Sequence, residues 1–347
     1  MYMKITIYLR KPDIAFSLEG IVNQLKCRFE NDKDIELTIA RSSYSKSGLI
    51  NIIRAMLEAR KFEGDVNHIS GDIHYITYLL NAKKTITTMH DCEKLICSDF
   101  GLIKKYVYKL LWFTIPAMKS CYITTATIES RNRLVQYAGI NKDKIVIIGH
   151  GVGSAFKRLS DSEKISNDIL GNKNKKKLVL HVSGVQPNKN VERIILSLRD
   201  MNIKFVKVGY LSEKEKELLL ENKIDYINFL NVEVEFLVRV YNSVDCLIFP
   251  STVEGFGLPV IEAQACGCPV VTSNCSTLPE VAGTGAFFVD PYSIVSIKEG
   301  IENVLHDDKL RKVLINNGCE NIKRFNWDVI SSKYKELYKK VYDANHT

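Results

Sequence analysis

Runs of β-branched and apolar residues alternate with helical patterns along the whole 347-residue chain, and the scheme is played through twice. In the first half the strand patterns are KITIYL (4–9), IELTIA (35–40), VNHIS (66–70), TITTMH (85–90), CYITTA (121–126) and KIVIIG (144–149). Between them apolar residues recur at helical spacing, as in Leu49, Ile52, Ile53, Met56 and Leu57. The second half repeats this with LVLHVSG (178–184), KFVKVGY (204–210), YINFL (226–230), CLIFPS (246–251) and PVVTS (269–273). A strand needs a helical crossover to pair in parallel with the next, so this alternation predicts α/β architecture with two doubly wound parallel sheets. The length suits two domains of roughly 150 residues each. The break falls at 157–177, KRLSDSEKISNDILGNKNKKK, which is polar and poor in aromatics and reads as a solvated linker. The expected domains are therefore 1–156 and 178–325, and two such sheets bind ligands in the cleft at the carboxyl ends of their strands.

Apolar residues at 46% and charged residues at 25% are globular values. No apolar stretch approaches the ~20 residues that span a bilayer, and MYMKITIYLRKPD lacks the apolar core of a signal peptide. Nine cysteines without a CxxC pair read as reduced thiols of a cytoplasmic protein, and Cys266 and Cys268 are too close for a zinc knuckle. The histidines have no metal-ligand spacing, and Asp32-Lys33-Asp34 reads as a solvated turn, so neither a metal nor another cofactor is expected. Residues 1–150 carry 22 Lys and Arg against 15 Asp and Glu, whereas 151–347 carry 26 against 25. The first half therefore meets something anionic. Nucleic acid is disfavoured, since no dense basic run interleaves with aromatics; a membrane surface or a phosphate-bearing substrate fits. GLIKKYVYKLLWFTIPAMKS (101–120) is either a packing helix with Lys104, Lys105, Lys109 and Lys119 on its wet face or a peripheral contact with an anionic membrane.

Chemistry concentrates in STVEGFGLPVIEAQACGCPVV (251–271), where Glu254 and Glu262 stand eight residues apart around a glycine loop. Pro259 suits the first turn of a helix that Gly267 ends. Gly255, Phe256, Gly257 and Leu258 then lie at a helix N-terminus, where unpaired amides and the macrodipole favour a phosphate. Two carboxylates beside a phosphate repel it unless they serve other groups, and carboxylates accept hydrogen bonds well from sugar hydroxyls. A ligand with both features is a sugar nucleotide.

EGFGLPVIE (254–262) resembles the E-x7-E signature of the retaining glycosyltransferases of family 4, which have the two-domain GT-B fold: two Rossmann-like sheets facing a central cleft. The likeness extends to HVSGVQPNKNVERIILSL (181–198), TMHDCEKLI (88–96), IIGHGVGSAF (147–156), INFLNVEVEFLVRVYNSVDCLIFPST (227–252) and RFNWDVISSKYKELYKKVY (324–342). It implies an N-terminal acceptor domain, a C-terminal nucleotide-sugar domain, and a C-terminal helix, 326–347, crossing back to the first. It implies Lys189 and the 255–258 amides on the donor diphosphate, with Gly184 and Asn190 in the same loop. Glu262 falls on the ribose hydroxyls, the Leu230 backbone at the base, and Glu254 and His90 at the transferred sugar. Gly20 closes the donor site from the first domain. The implied catalytic set is Glu254, His90 and Lys189. Three positions depart from the family pattern: Gly184 where an arginine is common, Glu19-Gly20 for Gly-Gly, and His150 for an asparagine.

The resemblance thus implies retaining, metal-independent transfer of a hexose-type sugar from a UDP- or GDP-linked donor. The acceptor is a glycan or a polyprenyl-diphosphate-linked oligosaccharide in bacterial surface polysaccharide (O-antigen or capsule) synthesis. The expected place of work is the cytoplasm or the cytoplasmic face of the inner membrane. The alternatives are a non-catalytic sugar-nucleotide sensor, against which Glu254 and His90 speak, and a sugar-nucleotide epimerase of the same fold.

Overall fold

A computed structural model describes residues 2–10, 16–44, 48–97, 100–166, 168–172 and 176–346, with the backbone alone at 16–19 and 97. Part of the NKNKKK run and the Glu19 side chain lie outside this description. The chain divides into two compact units, Met1–Gly151 with Asn326–Thr347, and Val152–Phe325.

The first unit is built on a six-stranded sheet of β1 (Met3–Leu9), β2 (Ile35–Arg41), β3 (Val66–Ile69), β4 (Thr85–Thr88), β5 (Tyr122–Thr125) and β6 (Ile145–Ile147). Its order is β2-β1-β3-β4-β5-β6 and every neighbouring pair is parallel. The β1 residues Ile5, Ile7 and Leu9 are buried together with Trp327, Ile330, Tyr334, Leu337 and Tyr338 of the C-terminal helix Trp327–His346. The Asp32–Asp34 turn is not merely solvated: Lys335 of that helix donates to Asp32 at 2.6 Å and to Asp34 at 3.5 Å. The helix Leu102–Lys109 leaves three of its apolar residues in water, with Leu102 88%, Ile103 83% and Tyr106 67% exposed. The same stretch, 101–120, packs through Tyr108, Phe113 and Ala117, so it is a packing element whose first turns keep an apolar face outside the core. Among the described residues no helix is long and apolar enough to cross a membrane.

The second unit holds β7 (Lys177–Val182), β8 (Ile203–Val208), β9 (Tyr226–Phe229), β10 (Cys246–Phe249), β11 (Val270–Ser273) and β12 (Phe287–Val289). Their order is β12-β11-β10-β7-β8-β9, again all parallel. Alternate strand residues go to opposite faces: Leu178, Leu180 and Leu247 enter one buried cluster, and Val179, Cys246 and Ile248 another. β12 has no counterpart in the sequence reading. The stretch expected to be a solvated linker belongs to this unit, because two of its four apolar residues, Ile165 and Leu170, are buried in the first of those clusters and Leu159 packs against it. Glycine at 267 is required there, since φ is +70° and a Cβ would lie 2.4 Å from the Arg158 Nε of the same stretch.

Candidate functional site

In the second unit the chain winds outward from β7 to β9, then crosses back to β10 and winds the other way. The order reverses between β7 and β10, and ligands of open α/β sheets bind at such a switch point, outside the carboxyl ends of the strands. The loops leaving β7 and β10 are the two that carry Lys189 and Glu254.

Backbone and amide groups tie these loops together. The Thr252 amide donates to the Asn188 carbonyl at 2.9 Å, and Asn188 Nδ2 donates to the Val253 carbonyl at 2.8 Å. Asn190 sits in the left-handed region at φ 63°, and its Nδ2 donates to the Pro250 carbonyl at 3.0 Å and the Pro291 carbonyl at 2.7 Å. Its Oδ1 accepts from Arg193 at 2.8 Å, so the Asn190 side chain is occupied in holding the loops. The loop after β11 adds a third tie, with the Glu254 amide donating to Ser276 Oγ at 2.8 Å and Thr277 Oγ1 to the Phe256 carbonyl at 3.1 Å. Gly257 caps the helix Leu258–Ala265 at φ +101°, and a Cβ on it would stand 2.6 Å from Leu278 Cδ2. Only glycine fits that close approach.

On this frame Lys189 Nζ meets Glu254 Oε1 at 2.6 Å, with side chains 19% and 10% exposed. The ammonium also lies 5.6 Å from the centre of the Phe249 ring. Glu262, one helix turn beyond Gly257, is partly buried and accepts a hydrogen bond from the Tyr241 hydroxyl at 3.0 Å. Burial pushes its carboxyl up to about 7, against the downward pull of the Tyr241 hydrogen bond. Two buried polar atoms beside the pair, Asn188 Oδ1 and Ser251 Oγ, have no partner among the described residues. Buried acceptors and hydroxyls are rarely left so, and they suit a polar ligand.

The Ser183–Gly184 loop follows β7 directly, and a side chain at 184 would meet only the flexible end of Gln186. Leu230 follows the last residue of β9 and is 48% exposed. Beside it an open depression of about 410 Å³ is lined by Phe229, Val232, Glu233, Glu235, Phe236 and Arg239, and not by Lys189, Glu254 or Glu262.

His90 and Gly20 lie in the first unit. Gly20 is the fifth residue of the helix Phe16–Phe29. It therefore lies past the four amides that lack an intrahelical acceptor, so its N–H is spent within the helix. His90 follows β4; its Nδ1 is 3.3 Å from His150 Nε2, and the Ser70 backbone also bears on the buried ring. Burial holds both rings below the usual histidine range and hence neutral near pH 7. The departure from the family pattern at position 150 is thus the partner of the proposed sugar-facing histidine. Sequence reasoning missed Tyr241, Ser276 and Thr277. Tyr241 carried no signal beyond the apolar face of its helix, and Ser276 and Thr277 stand 22 and 23 residues from the Glu254 they brace.

Comparison with known proteins agrees with the fold. Residues 161–321 match the family model described as glycosyl transferases group 1. The O-antigen chain mannosyltransferase B of Escherichia coli is 26% identical over 270 residues, covering 74% of this chain and 70% of that protein. An uncharacterized glycosyltransferase of Methanocaldococcus jannaschii, MJ1178, is 25% identical, covering 95% of each. Anabaena Alr3699/HepE, solved in complex with UDP-glucose, superposes with a TM-score of 0.78 at 14% identity, covering 98% of this chain and 100% of that one. The fold is GT-B, and the relatives support a glycosyltransferase with a role in polysaccharide synthesis.

Proposed function

We propose that this protein is a retaining hexosyltransferase that takes its sugar from a UDP- or GDP-linked donor bound at the β7–β10 switch point. The observation that carries the reading is the Lys189–Glu254 pair, a cation and a carboxylate brought to 2.6 Å by the two loops that flank this point. In the proposal Lys189 and the loop amides hold the diphosphate. Glu262 accepts hydrogen bonds from the ribose hydroxyls, and Glu254 meets the sugar, as the resemblance to the E-x7-E signature of family 4 implies. The partnerless Asn188 Oδ1 and Ser251 Oγ are further acceptors for the same ligand. His90 is assigned to the transferred sugar by that resemblance alone.

No nucleophile suited to double displacement is evident, so the proposed chemistry is attack on the same face as departure, through an oxocarbenium-like state. The bond from the anomeric carbon to the diphosphate oxygen breaks, and the acceptor oxygen bonds that carbon. The acceptor's proton passes to the departing diphosphate oxygen. Stabilising the charge on that leaving group is the largest expected contribution, as at other preorganised anion sites. Lys189 and the amides supply it without a metal ion in this account.

The acceptor is proposed to be a glycan or polyprenyl-diphosphate-linked oligosaccharide of an O-antigen or capsule, met at the cytoplasmic face of the inner membrane. The O-antigen relative supports this, as do the basic first half and the exposed apolar residues of Leu102–Lys109 with their lysines. The test is incubation of the protein with UDP- and GDP-hexoses and a lipid-linked oligosaccharide acceptor, with the anomeric configuration of the product read by NMR. Transfer with retention supports the proposal; inversion, or hydrolysis without transfer, contradicts it.

A further inference from the structure

Lys207, on β8, is fully buried, and among the described residues no carboxylate lies within ion-pair distance of it. Its Nζ donates to the Ser183 carbonyl at 2.6 Å and to the Val208 carbonyl at 2.9 Å. The Ser183 carbonyl and the Gly184 amide are the two ends of one peptide unit. That amide has no hydrogen-bond partner among the described residues, and position 184 has no side chain to bring charge of its own. The contact is built for closeness: Gly209 has φ +103°, and a Cβ there would fall 2.1 Å from the Ser183 carbonyl oxygen and 3.2 Å from Lys207 Nζ. Asn228 fixes the same strand end, donating to the Lys207 and Gly209 carbonyls at 3.1 and 2.7 Å.

A buried lysine is a costly way to hold a loop, since an apolar residue of that size packs without desolvating an ammonium. We propose that Lys207 is a positioning residue of the donor-diphosphate site: its ammonium, seated on the Ser183 carbonyl, polarises that peptide and turns the Gly184 amide into a charged-assisted donor for the phosphate, so that positive charge reaches the diphosphate from beneath the loop. A hydrogen bond accepted by a carbonyl strengthens the donor at the other end of the same amide. This rests on the donor reading above.

The surroundings make the charge depend on the ligand. Burial pushes the Lys207 amine down to about 7, with Glu215 pulling the other way. Its cross-strand neighbour His181 is held down to about 3 by burial, with Lys207 and Lys189 adding to the shift, and so is neutral. At pH 8 the free protein therefore holds Lys207 largely as the neutral amine, and a diphosphate draws a proton onto it.

The experiment is calorimetric titration of the full-length protein with UDP-glucose and GDP-mannose, whose diphosphate diesters do not titrate near neutrality. Buffers of different ionisation enthalpy at pH 8 and pH 6 count the protons. The parent is expected to take up a proton at pH 8 that the Lys207→Met variant does not, the difference vanishing at pH 6; subtraction cancels any proton from Glu262. The variant is expected to bind the nucleotide sugar at least tenfold more weakly at pH 6, with undiminished thermal stability. Equal affinity and equal proton count in parent and variant overturn the proposal while leaving the donor reading intact; failure of both nucleotide sugars to bind the parent overturns the donor reading itself. Should Lys207→Met not fold, Lys207→Gln, which keeps a donor for the Ser183 carbonyl but carries no charge, must lose the proton uptake at pH 8, and uptake equal to the parent's there overturns the proposal.

Discussion

Glu262 is asked for two things that pull in opposite directions. Packed against Tyr241 and partly buried, its carboxyl is easiest to keep protonated, whereas ribose hydroxyls are best accepted by the carboxylate. A carboxyl raised from 4.5 to about 7 binds more protons folded than unfolded in that window. Its stabilising contribution is present below 4.5 and is lost as pH rises through 7. Glu262→Gln is therefore expected to flatten the fall in unfolding free energy across this range and to stabilise the ligand-free protein at pH 8 by up to about 3 kcal/mol. Chemical denaturation at several pH values checks it, and a Gln variant less stable than the parent at pH 8 contradicts it. Asn190 makes the opposite case, a residue whose side chain serves the frame. Asn190→Ala loses two buried amide hydrogen bonds and the tolerance for φ 63°, and is expected to cost about 2–3 kcal/mol of stability. Asn190→Gly, which keeps that backbone freedom, is expected to cost less, and equal losses rule out the conformational part.

Among the elements, the helix Leu102–Lys109 carries the membrane proposal, with Leu102, Ile103 and Tyr106 exposed beside Lys104, Lys105 and Lys109. Each lysine near an anionic surface is worth about 1 kcal/mol, screened over about 8 Å at physiological salt. Lys104, Lys105 and Lys109 changed together to Ser are expected to lower binding to anionic vesicles by tenfold or more while nucleotide binding, assigned to the other unit, is unchanged. Vesicle binding equal to the parent's would make the helix a bystander. The strands were the most legible part of the sequence, because parallel strands buried on both faces are continuous apolar runs that end in glycine- or proline-bearing loops. β12 escaped because three residues, Phe287–Val289, make no pattern against their surroundings. The supposed linker misled for a related reason: scattered among so many polar residues, Leu159, Ile165 and Leu170 form no periodic pattern that announces a buried segment.

At the scale of the whole molecule, the division into two units and the switch-point loops with Lys189 and Glu254 could be read from strand–helix alternation and loop chemistry. What brackets that site could not. Tyr241, Ser276, Asn188 and Lys207 act through contacts set by the strand order, and no spacing in the sequence encodes them. In this account the charge on the leaving diphosphate is met by lysine and amide groups, so transfer is expected to survive EDTA. Activity lost on chelation and restored by Mg²⁺ or Mn²⁺ contradicts that arrangement. Whether a nucleotide diphosphate is held between the β7 and β10 loops is read by calorimetric titration of UDP and GDP into the parent, Lys189→Ala and Glu262→Ala. At least one nucleotide is expected to bind the parent and to bind each variant about 1.5–3 kcal/mol more weakly, roughly ten- to hundredfold in affinity. Affinity unchanged in both variants, or no binding of either nucleotide to the parent, would contradict it.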